Sequence, residues 1–291
     1  MTLVELVVAS ADRLKQAGVS FGHGTGNAFD EAAWLVTWSL GLPLDALETK
    51  GRRALTADEQ AKAEALIARR IETRKPAAYL TGEAWLQEIP FTIDERSIVP
   101  RSYIAELLVD IEEAGTLDAW LSDQTRRVLD LCTGNGSLAV IAAMAYPEVT
   151  VDAADISPGA LELARINVDR HGLGDRIRVI ESDLFAELPE RYDLILCNPP
   201  YVNDASMGAL PAEYRAEPAL ALAGGSDGMD LVRRIVAEAP SHLGDDGVIV
   251  IEVGHERGHF ERAFPRLECA WLETSGGGDS VVLIERKALK S

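Results

Sequence analysis

Asn198-Pro199-Pro200-Tyr201 follows the apolar run Tyr192-Asp193-Leu194-Ile195-Leu196-Cys197, which reads as a buried strand. The tetrapeptide therefore stands at a strand's carboxyl end, where open α/β sheets bind their ligands. Two successive prolines donate no backbone N–H and hold the chain extended, leaving rigid carbonyls exposed. The Asn198 side-chain oxygen and the Pro199 carbonyl are then two aimed acceptors. They suit a substrate that presents a planar NH2 group, such as glutamine, asparagine, adenine or cytosine. Pro200 keeps the chain extended and Tyr201 would wall the pocket. A plain turn also uses Asn and Pro, so the tetrapeptide gains weight only from its neighbours.

Upstream, Val128-Leu129-Asp130-Leu131-Cys132-Thr133-Gly134-Asn135-Gly136-Ser137-Leu138-Ala139 reads as strand, glycine turn and helix, the order of a nucleotide-binding unit. Gly134 and Gly136 let the backbone turn sharply and approach a ligand closely. Asp155 comes 21 residues after Gly134, at the end of the strand Val149 to Ala154. An acid at that spacing can accept hydrogen bonds from both ribose hydroxyls of an adenosine-containing ligand. Asp183 follows the strand Ile177 to Glu181. It could bond an adenine amino group, with Leu184 and Phe185 packing near the ring, or cap a short helix. Asp130 could orient the glycine turn or approach a ligand's ammonium group. Four successive strand ends thus carry polar loop residues.

The turn has G-x-G spacing, with Ala139 at the looser third position. Hydride transfer has no use for paired amide acceptors, whereas methyl transfer from S-adenosylmethionine does. The sequence resembles the class I S-adenosylmethionine-dependent methyltransferases, specifically the glutamine-amide branch that modifies translation release factors or a ribosomal protein, and the resemblance spans nearly the whole chain. Phe21-Gly22-His23-Gly24-Thr25-Gly26-Asn27, with Asp30-Glu31-Ala32, is similar to the start of the ribosomal-protein enzymes. So is Asp94-Glu95-Arg96 leading into Pro100-Arg101-Ser102-Tyr103-Ile104-Ala105-Glu106, where release-factor enzymes carry P-R-P-D-T-E. Cys132 departs from the glycine more usual at the first loop position.

The resemblance implies a Rossmann-like α/β fold, with a doubly wound, mostly parallel sheet, a C-terminal antiparallel hairpin and a small N-terminal helical domain. It implies S-adenosylmethionine held by Asp130, Thr133, Gly134, Asn135, Gly136, Asp155, Asp183, Phe185 and Asn198. Catalysis would fall to Asn198, Pro199 and Tyr201, with Pro200 completing the substrate contact and no metal. The implied substrate is a glutamine in large-subunit ribosomal protein number three, free or in a ribosome assembly intermediate. Release factors come second, and an exocyclic amino group of nucleic acid third.

Composition bounds these readings. The chain has 291 residues, 47% of them hydrophobic, enough for a buried core in one or two domains. No apolar run reaches the roughly 18 to 20 residues a membrane helix needs. The start, with Glu5 and Asp12, lacks a signal peptide's basic-then-apolar order. Cys132, Cys197 and Cys269 match no metal spacing and are too few for a disulfide framework. A cytoplasmic location follows as the expectation. The net charge of −19 weighs against DNA binding, which relies on Lys and Arg. An acidic face could attract a basic ribosomal protein, though acidity also serves solubility.

The elements that must position these residues divide the chain into three. Residues 1–84 read as a helical substrate-recognition domain. Leu3-Val4, Leu6-Val7 and Leu14 have helical spacing, as does the run Ala32 to Leu40, and Thr56-Ala57-Asp58-Glu59 forms a capping box. Arg69, Arg70, Arg74 and Lys75 cluster where the latter helix ends, complementing its dipole or touching substrate. Residues 85–103 read as a β-hairpin linker, and 104–291 as the methyltransferase domain. Its strands are expected near 127–132, 149–154, 177–181, 192–197 and 247–253, alternating with helices in a parallel sheet. The runs Glu268 to Leu272 and Ser280 to Ile284 are too close for an intervening helix and should pair as an antiparallel hairpin. Gly224-Gly225-Ser226-Asp227-Gly228 reads as a loop-to-helix connection. Arg101 falls near the entrance of the expected site without an assigned role.

His255-Glu256-Arg257-Gly258-His259 matches the H-E-x-x-H zinc signature literally. That chemistry needs both histidines on one helical face. Here the pentad directly follows a strand and Gly254, Gly258 weakens any helix, and no third ligand is placed nearby.

Overall fold

The computed structural model describes residues 1–43, 45–109 and 116–289. A hairpin of β1 (Glu83–Leu86) and β2 (Ile89–Thr92) precedes a seven-stranded sheet. That sheet comprises β3 (Arg127–Leu131), β4 (Thr150–Asp155), β5 (Ile177–Glu181), β6 (Tyr192–Cys197), β7 (Leu243–Glu252), β8 (Ala270–Leu272) and β9 (Val281–Glu285). Their order is β5-β4-β3-β6-β7-β9-β8. The first five run parallel, while β9 is antiparallel to both β7 and β8. The expected doubly wound sheet and C-terminal hairpin are both present. The expected hairpin strand β9 also inserts beside β7, which leaves the short β8 at the edge.

Strand order reverses between β3 and β6, whose ends pair in register Leu131↔Cys197. A crevice opens at such a switch point, outside the carboxyl ends of the strands. The glycine turn after β3 and the Asn-Pro-Pro-Tyr turn after β6 are therefore spatial neighbours, although more than 60 residues separate them in sequence. The helix Ser137–Ala145 is apolar on nearly every side and packs in one of two clusters that cover the sheet's faces.

A third cluster joins the N-terminal helices Leu3–Gln16, Ala28–Ser39 and Ala57–Thr73 with Ile93, Val99 and Leu163. The capping box at Thr56 and Glu59 forms as read from sequence, and Thr2 with Glu5 makes another. The β1–β2 turn has Gln87 and Glu88 at φ of 49° and 61°, a conformation usually given to Asn-Gly. Asn167, fully buried, bonds Thr92 N at 2.7 Å and donates to the Asn135 carbonyl at 2.9 Å. One side chain thereby ties the hairpin to the glycine turn. No helix among the described residues is long and apolar enough to cross a membrane.

Candidate active site

The glycine turn is held from beneath by Asp130. This fully buried carboxylate accepts from Ala139 N at 2.9 Å and from the Thr133 hydroxyl on Oδ2, while Oδ1 has no protein partner. Burial pushes its pKa up to about 7 against the pull of those two donors. Cys132 adopts φ of 61°, left-handed backbone at the position where glycine is more usual. Such strain is tolerated where surrounding structure fixes the chain. Asn135 turns inward to cap Ser137 N at 3.3 Å. At Gly136 a Cβ would come within 3.1 Å of Ala164 Cα, so this glycine serves the close approach of two helices.

Asp155 faces the turn from β4. Its Oδ2 accepts from Gly134 N and its Oδ1 from Ser157 N, both at 2.9 Å. Burial raises its pKa while these backbone donors oppose the rise.

Gly134, Asp155, Asp183, Leu184, Asn198 and Pro200 all line one cavity of ≈ 350 Å³. Ile156 and Leu220, 50% and 61% exposed, stand at the same cavity with apolar surface unspent on the protein. Asp183 pairs with Arg234 at 3.1 Å and caps no helix. Phe185 does not join this wall. It stacks on His242 beneath it, centroids 4.6 Å apart, and Leu184 takes the lining position through its own left-handed backbone. Asp130, Thr133, Asn135 and Gly136 likewise lie behind the turn rather than on the cavity surface. An apolar cleft, ring-edge carboxylates and close backbone at Gly134 together match a nucleoside.

A second cavity of ≈ 290 Å³ is lined by Arg101, Asn198, Pro199, Tyr201, Tyr214 and His255, among others. Asn198 belongs to both walls. Its Nδ2 donates to the Arg101 carbonyl at 3.4 Å, which spends the NH2 end on protein and reserves the oxygen as an acceptor. Tyr201 packs against Gly254, and its carbonyl against Gly228, where a Cβ would lie 2.5 Å from the ring and 2.2 Å from the carbonyl oxygen. The glycine-rich segment after Gly224 thus wedges the tetrapeptide in place.

Three residues in or behind the wall of this cavity escaped sequence reasoning. Glu217, fully buried, receives both ends of the Arg101 guanidinium at 2.6 Å and lies 3.5 Å from His23 Nε2. Burial favours its neutral form, but Arg101 and His23 outweigh that and hold its pKa at about 2. Tyr214 lies under the Arg101 guanidinium, 5.3 Å away, and against His23. Glu252, at the end of β7, accepts from Ser102 Oγ at 2.6 Å and stands 3.4 Å from the Tyr201 hydroxyl. An acid closing an apolar strand is the signal that marked Asp155, and it was present at Glu252 too.

Within the basic cluster, Arg70 lies in the last turn of its helix and Arg74 donates to the Ala17 and Gly18 carbonyls that end the first helix. Arg70 is wholly buried and binds Glu31 at 2.8 Å and Glu213 at 3.4 Å, while Arg74 reaches Glu213 at 3.2 Å. Together they tie the N-terminal helices to the segment leading to Glu217. In the H-E-x-x-H pentad the helix begins only at Arg257, and both histidines turn onto Glu256. Among the described residues no cluster could hold a metal ion.

Residues 109–212 match the methyltransferase small domain family and residues 5–82 the PrmC N-terminal domain family. The catalytic domain of hMettl16 in complex with a MAT2A 3′UTR hairpin shares the fold at a TM-score of 0.53. It is 14% identical, over 78% of this chain and 81% of that one. Sheet order, switch-point crevice and family match define a class I methyltransferase. A Bordetella pertussis protein named ribosomal protein uL3 glutamine methyltransferase is 52% identical across 100% of this chain and 97% of its own length. A Burkholderia pseudomallei protein of the same name is 51% identical across 99% and 95%. The chain belongs to the family of ribosomal protein uL3 glutamine methyltransferases.

Proposed function

We propose that this enzyme methylates the side-chain amide nitrogen of a glutamine in ribosomal protein uL3, using S-adenosylmethionine. The observation that carries the reading is that Asn198 stands in the walls of both cavities, between a nucleoside-shaped cleft and a pocket for the substrate. The cofactor, when bound, supplies an electrophilic methyl group on a cationic sulfur. Asp155 would hold the ribose, Asp183 the adenine edge, Leu184 the ring face, and Asp130 and Thr133 the shape of the turn at Gly134.

A glutamine amide nitrogen is a poor nucleophile because resonance delocalises its lone pair. The Asn198 oxygen and the Pro199 carbonyl would each accept one of its N–H bonds and fix the amide plane. As positive charge develops on that nitrogen, both acceptors bind it more tightly, so they stabilise the transition state more than the ground state. Tyr201 would confine the amide and exclude water, while Pro200 lines the nucleoside cleft. Residues 1–84 would recognise the ribosomal protein, 85–103 link, and 104–291 carry out transfer in the cytoplasm, on free uL3 or an assembly intermediate. The acidic surface suits a basic partner and disfavours DNA.

Label transfer from S-adenosylmethionine to isolated uL3, to a release factor and to DNA tests the substrate directly. Labelled glutamine in uL3 alone is expected; labelling of the release factor or DNA instead would overturn the reading. Asn198→Ala should cost on the order of 2.7–4 kcal/mol of transition-state stabilisation.

A further inference from the structure

Glu252 is buried, carries no motif, and reaches both Tyr201 in the wall of the substrate cavity and the segment just after Arg101. Its Oε2 accepts from Ser102 Oγ at 2.6 Å and from Tyr103 N at 2.9 Å. Its Oε1 lies 3.4 Å from the Tyr201 hydroxyl. The grip on Ser102 and Tyr103 fixes the segment that begins at Arg101, whose carbonyl accepts Asn198 Nδ2 at 3.4 Å. Ser102 Oγ is itself anchored by Ile104 N at 3.2 Å. Three donors from two chain segments thus converge on one carboxylate, which is a pure acceptor towards all three only when ionised.

We infer that Glu252 is a positioning residue for methyl transfer: through Ser102 and the Arg101 carbonyl it sets the Asn198 amide, and through the Tyr201 hydroxyl it sets the ring that walls the pocket. This rests on the reading of Asn198 as the acceptor for the substrate amide. The remaining charged group facing Glu252 is the Arg101 guanidinium, already spent on Glu217. Burial pushes the Glu252 pKa up to about 7, and the Ser102 hydroxyl and the Tyr103 and Ile104 N–H groups pull it back. A proton on this carboxylate displaces one of its donors, so kcat should rise with pH through that region.

Glu252→Gln in the full chain tests this. Glutamine keeps the shape but presents an NH2 to one set of donors. The expected result is a kcat lowered by up to about 100-fold, the scale of a small misplacement of reacting groups. Cofactor affinity should hold, the neutral limb of the pH–kcat profile should vanish, and the melting temperature should not fall, because a buried carboxylate has been replaced by a neutral amide. Wild-type kcat with the pH limb intact overturns the inference. So does a kcat loss that merely tracks lost melting temperature and cofactor affinity. Asn198→Ala run in parallel separates the two ideas: if it is inactive while Glu252→Gln is normal, only the Glu252 role fails. If Asn198→Ala is fully active, the amide reading fails and takes this inference with it. Should Glu252→Gln not fold, Tyr201→Phe removes just the hydroxyl contact and must lower kcat without shifting cofactor affinity; an unchanged kcat overturns the role.

Discussion

Arg101 grips Glu217 through two hydrogen bonds of 2.6 Å, joining the wall of the substrate cavity to a buried carboxylate behind it. The Glu217 side chain is fully buried and that of Arg101 is 29% exposed, so truncating the cation leaves a buried charge with only His23 and the Val99 N–H beside it. Arg101→Ala should destabilise the fold by about 3 kcal/mol at neutral pH, the lower end for a broken buried pair. Arg101→Lys should recover part of that, since an ammonium cannot reproduce the fork. The pH dependence has a definite sign. Glu217 is held at about 2 from an ordinary 4.5, so its contribution is complete above 4.5 and disappears as pH falls towards 2. Urea unfolding should show the gap between wild type and Arg101→Ala narrowing as the solution is acidified through that window. A gap that stays constant would mean that Glu217 is not the partner that matters.

Asp130 behaves in the opposite sense. Its pKa is raised from 3.8 to about 7, so the folded state keeps a proton that the unfolded chain has released. Its contribution is complete below pH 3.8 and is lost as pH rises through about 7. Asn at this position can still accept from Ala139 N and Thr133 on one oxygen and takes no proton. Asp130→Asn should therefore melt no lower than wild type at about pH 6 and higher at about pH 8. Calorimetric melts at the two pH values check this.

Much of this site was legible because strand ends and turn residues are local signals. The runs before Asp130, Asp155 and Asn198 are largely apolar, as strands buried on both faces must be. Gly134 and Asn198 become neighbours once a parallel sheet is assumed. Glu217 and Tyr214 were not legible, because they meet His23 only when the N-terminal helices fold back against the segment near residue 214, and no local periodicity encodes that contact. Phe185 was misplaced for a related reason. The chain turns through left-handed backbone at Leu184, which exchanges the side chains that face up and down, and a leucine gives no warning of that turn. Arg70 shows the same limit: its position at a helix end suggested a solvated dipole partner, whereas Glu31 and Glu213 draw it wholly inside.

The H-E-x-x-H pentad supports a prediction about metal content. Glu256 accepts from His259 Nδ1 at 2.5 Å, lies 3.1 Å from His255 Nε2, and also accepts Asn203 Nδ2 at 2.5 Å. The two histidines thus converge on a carboxylate that caps a neighbouring turn, instead of sharing one helical face. Purified enzyme should contain zinc well below one equivalent, and methyl transfer should survive a chelator. Stoichiometric zinc by elemental analysis, removed together with activity, would restore the metal reading.

Gly254 is where the sheet presses on the substrate pocket. Its φ of 53° is left-handed, and a Cβ would lie 2.5 Å from Tyr201 Cε2 and 2.8 Å from Cζ. Gly254→Ala must therefore move the ring, and overpacking of this kind costs about 1–3 kcal/mol. The displaced ring should lower kcat by up to about 100-fold, while S-adenosylmethionine, on the far side of Asn198, should bind as before. A double-mutant cycle isolates the cause. Removing the ring with Tyr201→Ala frees the space, so the stability penalty of Gly254→Ala should shrink in that background, leaving only the cost of the backbone conformation. If the penalty is the same with and without the ring, the contact between these residues does not set the position of Tyr201.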